Sequence, residues 1–145
     1  MFKGLISKLR NKHGFSAGAS QSTILVVDDS QVDRAYIQYT LEKRGYRILT
    51  AVNGAAGLET IKSDRPDLII LDCQMPVMDG LTMCKKLKEN DKTSGIPVIF
   101  LTALDTPQNI VSCFESDCEN YLSKPVSGKI LVTQVEAILK ESSSA

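Results

Sequence analysis

Between residues 23 and 139, short apolar runs alternate with longer stretches in which apolar and polar positions interleave. The runs are 24–27 (ILVV), 47–51 (RILTA), 68–71 (LIIL), 97–101 (PVIFL) and 120–122 (NYL), each short enough to be a β-strand. The first, third and fourth are the most continuously apolar, which suits parallel strands covered on both faces. The stretches between them carry helix punctuation. Ser30 followed three residues later by Asp33 resembles a capping box, Gly45 after Arg44 is a natural helix stop, and Thr106 before Pro107 puts a cap residue ahead of a first-turn proline. Leu131, Val135, Ile138 and Leu139 fall at i, i+4, i+7 and i+8, one apolar stripe of a last helix. Five β-α alternations with short connections predict an α/β fold, a doubly wound five-stranded parallel sheet with helices on both sides.

In such folds ligands bind outside the carboxyl ends of the strands, near the point where strand order reverses. The runs lead at that edge into Asp28 and Asp29, into Asp72, into Thr102 and into Lys124-Pro125. A parallel sheet brings these side chains together. Two carboxylates about 4 Å apart repel by about 4 kcal/mol at an effective dielectric near 20, so three must protonate, pair with a cation or cost stability. Mg²⁺ takes oxygen ligands, and Asp28, Asp29 and Asp72 with one backbone carbonyl suit it. Lys124 offers a compact cation and Thr102 a hydroxyl, both fit for phosphate oxygens. Taken singly, a strand-end Asp is most often a turn or cap residue. Together the groups meet the needs of phosphoryl transfer onto a carboxylate: a nucleophile, a metal and fixed donors.

With these residues in hand, the segment from Thr23 to Leu139 resembles a response-regulator receiver domain. The motifs are LVVDDS (25–30), LDCQMPVMDG (71–80), FLTA (100–103) and YLSKP (121–125). The resemblance implies a flavodoxin-like (βα)5 sheet of order 2-1-3-4-5. It implies that a phosphohistidine on a sensor histidine kinase donates its phosphoryl group to Asp72, with Mg²⁺ held by Asp29, Asp72 and the backbone carbonyl of Gln74. Asp28 would act mainly through metal-bound water, Thr102 and Lys124 would hold phosphoryl oxygens, and the Lys124–Pro125 bond would be cis. Tyr121 corresponds to the aromatic switch that turns inward as Thr102 moves; the bland reading of Tyr121 is a half-buried strand aromatic with a wet hydroxyl. Two features depart from the family pattern. Asp117-Cys118 stand where Gly-Ala is common, so that turn is expected to be built differently. Leu104 occupies a variable place beside the phosphoryl group, where an apolar side chain would hinder hydrolytic water.

Composition narrows the frame without changing it. The hydrophobic share of 43% and charged share of 23% are those of a folded soluble domain. Formal net charge is zero, yet residues 1–13 carry Lys3, Lys8, Arg10 and Lys12 and no acid, leaving 13 basic against 17 acidic residues. A mildly acidic body without a DNA-binding motif makes direct DNA binding unexpected. Met1, Phe2, Leu5, Ile6 and Leu9 share one side of a helical wheel, so residues 1–12 form a short basic amphipathic arm suited to an anionic membrane, a partner or a second copy. The Gly- and Ser-rich stretch 14–22 reads as a flexible linker. The expected division is arm and linker over 1–22, receiver over 23–141 and tail over 142–145. Cys73, Cys84, Cys113 and Cys118 lack metal-binding spacing and are expected as reduced thiols, Cys73 more as a neutral strand-end residue than as a redox switch.

Neither a spanning stretch nor a signal-peptide pattern is present, which points to the cytoplasm, with the arm allowing a peripheral place at a membrane. A haloacid-dehalogenase-type phosphatase also uses a strand-end Asp and Mg²⁺, but needs Asp-x-Asp after the first strand, where this chain has Asp28-Asp29-Ser30. The same fold could also serve as a phosphorelay shuttle, or as a receiver-like interaction module without phosphoryl turnover. No effector domain is expected after Ala145, so the signal is expected to leave through protein contacts or onward transfer to a histidine. The expected partners are a sensor histidine kinase or histidine phosphotransfer protein and an unknown downstream protein.

Overall fold

The computed structural model describes residues 21–103 and 106–144; the basic arm, most of the linker and Leu104 lie outside them. Each apolar run becomes a strand: β1 Thr23–Val27, β2 Arg47–Ala51, β3 Leu68–Leu71, β4 Val98–Thr102 and β5 Asn120–Ser123. Each strand is followed by a helix: α1 Gln31–Glu42, α2 Gly54–Ser63, α3 Gly80–Glu89, α4 Pro107–Glu115 and α5 Gly128–Ser144. The strands form one sheet in the order β2-β1-β3-β4-β5, with every neighbouring pair parallel. This is the 2-1-3-4-5 order that the resemblance implies. Strand ends differ from expectation by one residue at β1, which takes in Thr23, at β5, which takes in Ser123, and at β4. β4 starts after Pro97 and takes in Thr102, since proline has no N–H for the ladder while the Pro97 carbonyl still accepts from Ile69 at 3.0 Å. The last helix, α5, runs on through Ser144.

The continuous apolar runs fill both faces of the sheet. Leu25, Val27, Ile69, Leu71, Val98 and Phe100 point to one side, where Ile61 of α2, Met83, Cys84 and Leu87 of α3 and Cys113 of α4 cover them. Ile24, Val26, Leu68, Ile70, Ile99 and Leu101 point to the other, against Ile37 and Leu41 of α1 and Leu131, Val132, Val135 and Ile138 of α5. A strand side chain alternates faces with period two, so an unbroken run of apolar residues needs two such layers.

Helix starts are fixed by short polar side chains. Ser30, Asn53, Asp79 and Thr106 each accept from the backbone N–H three residues on. Thr106 with Pro107 behaves as the sequence predicts. At Gly45 the backbone turns to φ 93° after α1, a conformation that glycine takes without steric cost.

Candidate functional site

The order of the sheet reverses between β1 and β3, and this is where the acids gather. Asp28 and Asp29 follow β1, and Asp72 follows β3. Among the described residues they form the one group of three acids whose ligand atoms lie within 4.8 Å of one another. Asp28 and Asp72 are buried and Asp29 is exposed. The donors are hard oxygens, they carry excess negative charge, and Asp29 opens to solvent, so the group fits a small divalent cation of the Mg²⁺ kind. Gln74 lies on the rim beside Asp29, both lining an open depression with Met75, Pro76 and Asp79. Its N–H points back to Asp72 Oδ1 at 3.4 Å.

Lys124 closes the site from β5. Its Nζ donates to Asp28 Oδ2 at 2.6 Å, to Asp33 Oδ2 at 2.7 Å and, more loosely, to Asp72 Oδ2 at 3.4 Å. Burial alone would lower the basicity of this ammonium, but the Asp28 and Asp33 carboxylates outweigh it and hold the pKa well above the usual lysine value. Asp28 is also shifted upward. Its burial and the neighbouring Asp72 charge oppose ionisation more than Lys124 and the Ser30 N–H favour it. The two shifts are compatible, because Asp28 is the most deeply buried member of a cluster with more acid than base. The Lys124–Pro125 peptide bond is cis, as the resemblance implies.

Thr102 ends β4, fully buried, and its carbonyl accepts from the Lys124 N–H at 2.9 Å. Tyr121 lies opposite Phe100 in the β4–β5 register and packs against the core layer that also holds Met83 and Cys113. Its hydroxyl is enclosed by protein rather than wet. The structure therefore brings Asp28, Asp29, Asp72 and Lys124 together, puts Thr102 at the end of the neighbouring strand, and turns Tyr121 inward on the far side of it.

Residues that the sequence pattern does not mark out for the site also stand here. In the sequence Asp33 reads only as the partner in a capping box, and half of that box is present: its N–H reaches Ser30 Oγ at 3.2 Å. The return bond is made by another residue, since the Ser30 N–H goes to Asp28 Oδ1 at 2.9 Å and the Asp33 carboxylate goes to Lys124. The capping box prefers the longer Glu or Gln, and an Asp in that place is the one signal the sequence carries. Arg34 donates to the Asp28 carbonyl at 2.7 Å. Gly80 lets α3 start directly against the end of β3: a Cβ there would sit 2.1 Å from the Asp72 carbonyl oxygen.

The four cysteines, scattered in sequence, meet behind this site. The sulfurs of Cys73 and Cys113 are 3.4 Å apart, and all four thiols are free. Burial pushes every one of them up, Cys118 to about 12, so none is a ready thiolate. That agrees with Cys73 as a neutral strand-end residue. Asp117 adopts φ 69° in the turn before β5, so the turn keeps a left-handed residue although no glycine stands there; Asp tolerates that conformation better than most residues.

A doubly wound sheet with three acids at its switch point and a lysine reaching in from the last strand defines a signal receiver. The chain belongs to the response regulator receiver domain family, whose model matches residues 24–136. It is 33% identical over 118 residues to the transcriptional regulatory protein AfsQ1 of Streptomyces coelicolor, covering 81% of this chain and 51% of that one. It is 37% identical over 117 residues to the response regulator PleD of Caulobacter vibrioides, covering 81% of this chain and 26% of that one. The chain thus spans about half, or less, of the length of these curated relatives. Among solved structures, the receiver domain of a signal transduction histidine kinase from Syntrophus aciditrophicus superposes with a TM-score of 0.78 at 34% identity, covering 83% of this chain and 91% of that one. A CheY-like receiver from Methanospirillum hungatei gives a TM-score of 0.81 at 26% identity, covering 86% and 98%. No described helix is long and apolar enough to cross a membrane.

Proposed function

We propose that this receiver accepts a phosphoryl group on Asp72 from a phosphohistidine of a sensor kinase or phosphotransfer protein, and that the modification changes its protein contacts. The observation that supports this best is the ammonium of Lys124 held among Asp28, Asp33 and Asp72, beside a carboxylate group that fits Mg²⁺. In the transfer, an Asp72 oxygen attacks phosphorus, the P–N bond to histidine breaks, and the nitrogen leaves to be protonated. Asp28, Asp29, Asp72 and the Gln74 carbonyl would hold Mg²⁺, which supplies charge neutralisation for the phosphoryl oxygens. Lys124 then donates to one of those oxygens and the Thr102 hydroxyl to another. Thr102 and the inward Tyr121 connect that event to α4, β5 and α5, the surface we assign to output. A groove of about 620 Å³ beside Lys124, lined by Val32, Tyr36, Ile37 and Val126, is suited to the approaching histidine-bearing partner. Residues 1–12 serve in this proposal as a docking arm on a membrane, a partner or a second copy, and the chain works without a DNA contact of its own.

The test is intact-mass analysis after incubation with acetyl phosphate. With Mg²⁺ one phosphoryl group is added; with a chelator, or in Asp72→Asn, none is. Equal labelling of Asp72→Asn would overturn the assignment. Unchanged signalling output in Lys124→Arg, which keeps the charge but flattens and enlarges the donor, would remove Lys124 from its role.

A further inference from the structure

We infer that Asp33 is a positioning residue that competes with the phosphoryl group for Lys124 and so sets how readily this receiver is charged. The inference rests on the function proposed above. A lysine ammonium has three hydrogens to donate. Here all three directions are taken by carboxylates, at 2.6 Å to Asp28, 2.7 Å to Asp33 and 3.4 Å to Asp72. A phosphoryl oxygen arriving on Asp72 can gain Lys124 only when a bond already present is given up. The contact to Asp72 is the longest of the three, so the ammonium sits toward α1 and away from the acceptor.

Asp28 and Asp33 are not equivalent holders. Asp28 belongs to the acidic group that fits the cation, so metal binding offers its carboxylate another positive partner. Asp33 lies outside that group, in the first turn of α1, and its negative charge stays directed at Lys124. Its side chain is 41% exposed, against 3% for Asp28, so water can take its place once Lys124 leaves. The pair is therefore strong enough to hold the ammonium and cheap enough to break, which is what a competitor requires. The geometry that releases Asp33 for this role is the unreturned capping bond: Asp28, not Asp33, accepts the Ser30 N–H.

Removing the negative charge has a definite direction. Asp33→Asn keeps the shape and the backbone bond to Ser30 Oγ but weakens the hold on Lys124. In the presence of Mg²⁺ it should bind fluoroberyllate more tightly and take phosphoryl from acetyl phosphate faster than the parent, by about two- to five-fold, the range of a partly exposed ion pair. The same substitution in a Lys124→Ala background should change neither quantity, because the route through Lys124 is gone. A second readout needs no phosphoryl chemistry: acetylation of Lys124 by an N-hydroxysuccinimide ester, followed by peptide mass, should speed up in Asp33→Asn. A parent that binds fluoroberyllate and an Asp33→Asn variant that matches it, or Lys124 acetylation unchanged between them, would overturn the inference and leave the proposed function standing. An equal gain in both lysine backgrounds would overturn the route through Lys124, and a parent that takes up neither fluoroberyllate nor phosphoryl would overturn the function and the inference together.

Discussion

At the amino edge of the sheet, Asp67 Oδ2 accepts the Thr23 N–H at 2.7 Å, while Arg47 pairs with Asp64 at 2.5 Å and also donates to the Thr23 hydroxyl at 3.3 Å. At the carboxyl edge, Lys124 is shared among Asp28, Asp33 and Asp72, and Asp29 stands beside them. The same strands thus end in two kinds of electrostatics. At one edge Asp64 and Asp67 each meet a donor; at the other Asp28, Asp33 and Asp72 share the single ammonium of Lys124, with Asp29 beside them. Local consistency stabilises a fold, and a departure from it at one edge marks where a cation and a phosphoryl group would complete the arrangement.

The largest expected effect tests whether the departure at the carboxyl edge lies in charge and not in backbone packing. Gly80→Ala places a methyl group 2.1 Å from the Asp72 carbonyl oxygen, so α3 must move away from β3. A loss of about 2–3 kcal/mol in urea unfolding is expected, the cost of overpacking a tight contact. A loss below about 0.5 kcal/mol, the scatter of an ordinary surface substitution, would mean that this loop yields easily.

Opposite signs are expected when one acid is removed from each edge. In metal-free buffer Asp72→Asn relieves repulsion among Asp28, Asp29 and Asp72 and should gain about 1 kcal/mol, less than the bare Coulomb figure because the contact to Lys124 is lost with it. Asp67→Ala deprives the Thr23 N–H of its acceptor and should lose about 1 kcal/mol. Saturating Mg²⁺ should stabilise the parent by about 1.4 kcal/mol at ten times its dissociation constant and so reverse the first difference without touching the second. Parent melting curves that coincide with and without Mg²⁺ would sink the cation site.

The contrast also explains what could be read from the sequence. Unbroken runs such as LIIL can be satisfied only between two helical layers, so the fold was legible from periodicity, and Asp28, Asp29, Asp72, Thr102 and Lys124 followed because strand ends are easy to locate. Asp33 was not legible as a site residue. It sits inside α1, where its side chain could equally have closed the capping box, and only the three-dimensional approach of Lys124, 91 residues away, decides between the two. The gathering of the cysteines was hidden for the same reason: Cys73 and Cys113 are 40 residues apart and share no motif. Tyr121 was assigned by resemblance, and its inward turn depends on packing that no local pattern encodes.

The smallest expected effect is a difference in pH slope between the edges. The hydrogen bond from Arg47, more than its charge, holds the Asp64 carboxyl below the ordinary value of 3.8. Its contribution to stability is therefore present above that pH and lost as pH falls below it toward the folded value. The pair is exposed, so salt should erode it as well. Asp28 runs the other way. Burial, with Asp72 beside it, raises its pKa above 3.8, so the native state binds this proton more tightly than the unfolded chain. Stability from this group is present at low pH and declines as pH rises through the interval between 3.8 and the raised value. Urea unfolding without metal between about pH 3 and 7 should show Asp64→Asn falling behind the parent as pH rises, and Asp28→Asn gaining on it over the interval just above. Parallel profiles for both variants would mean that the two edges do not differ in the way their charges are held.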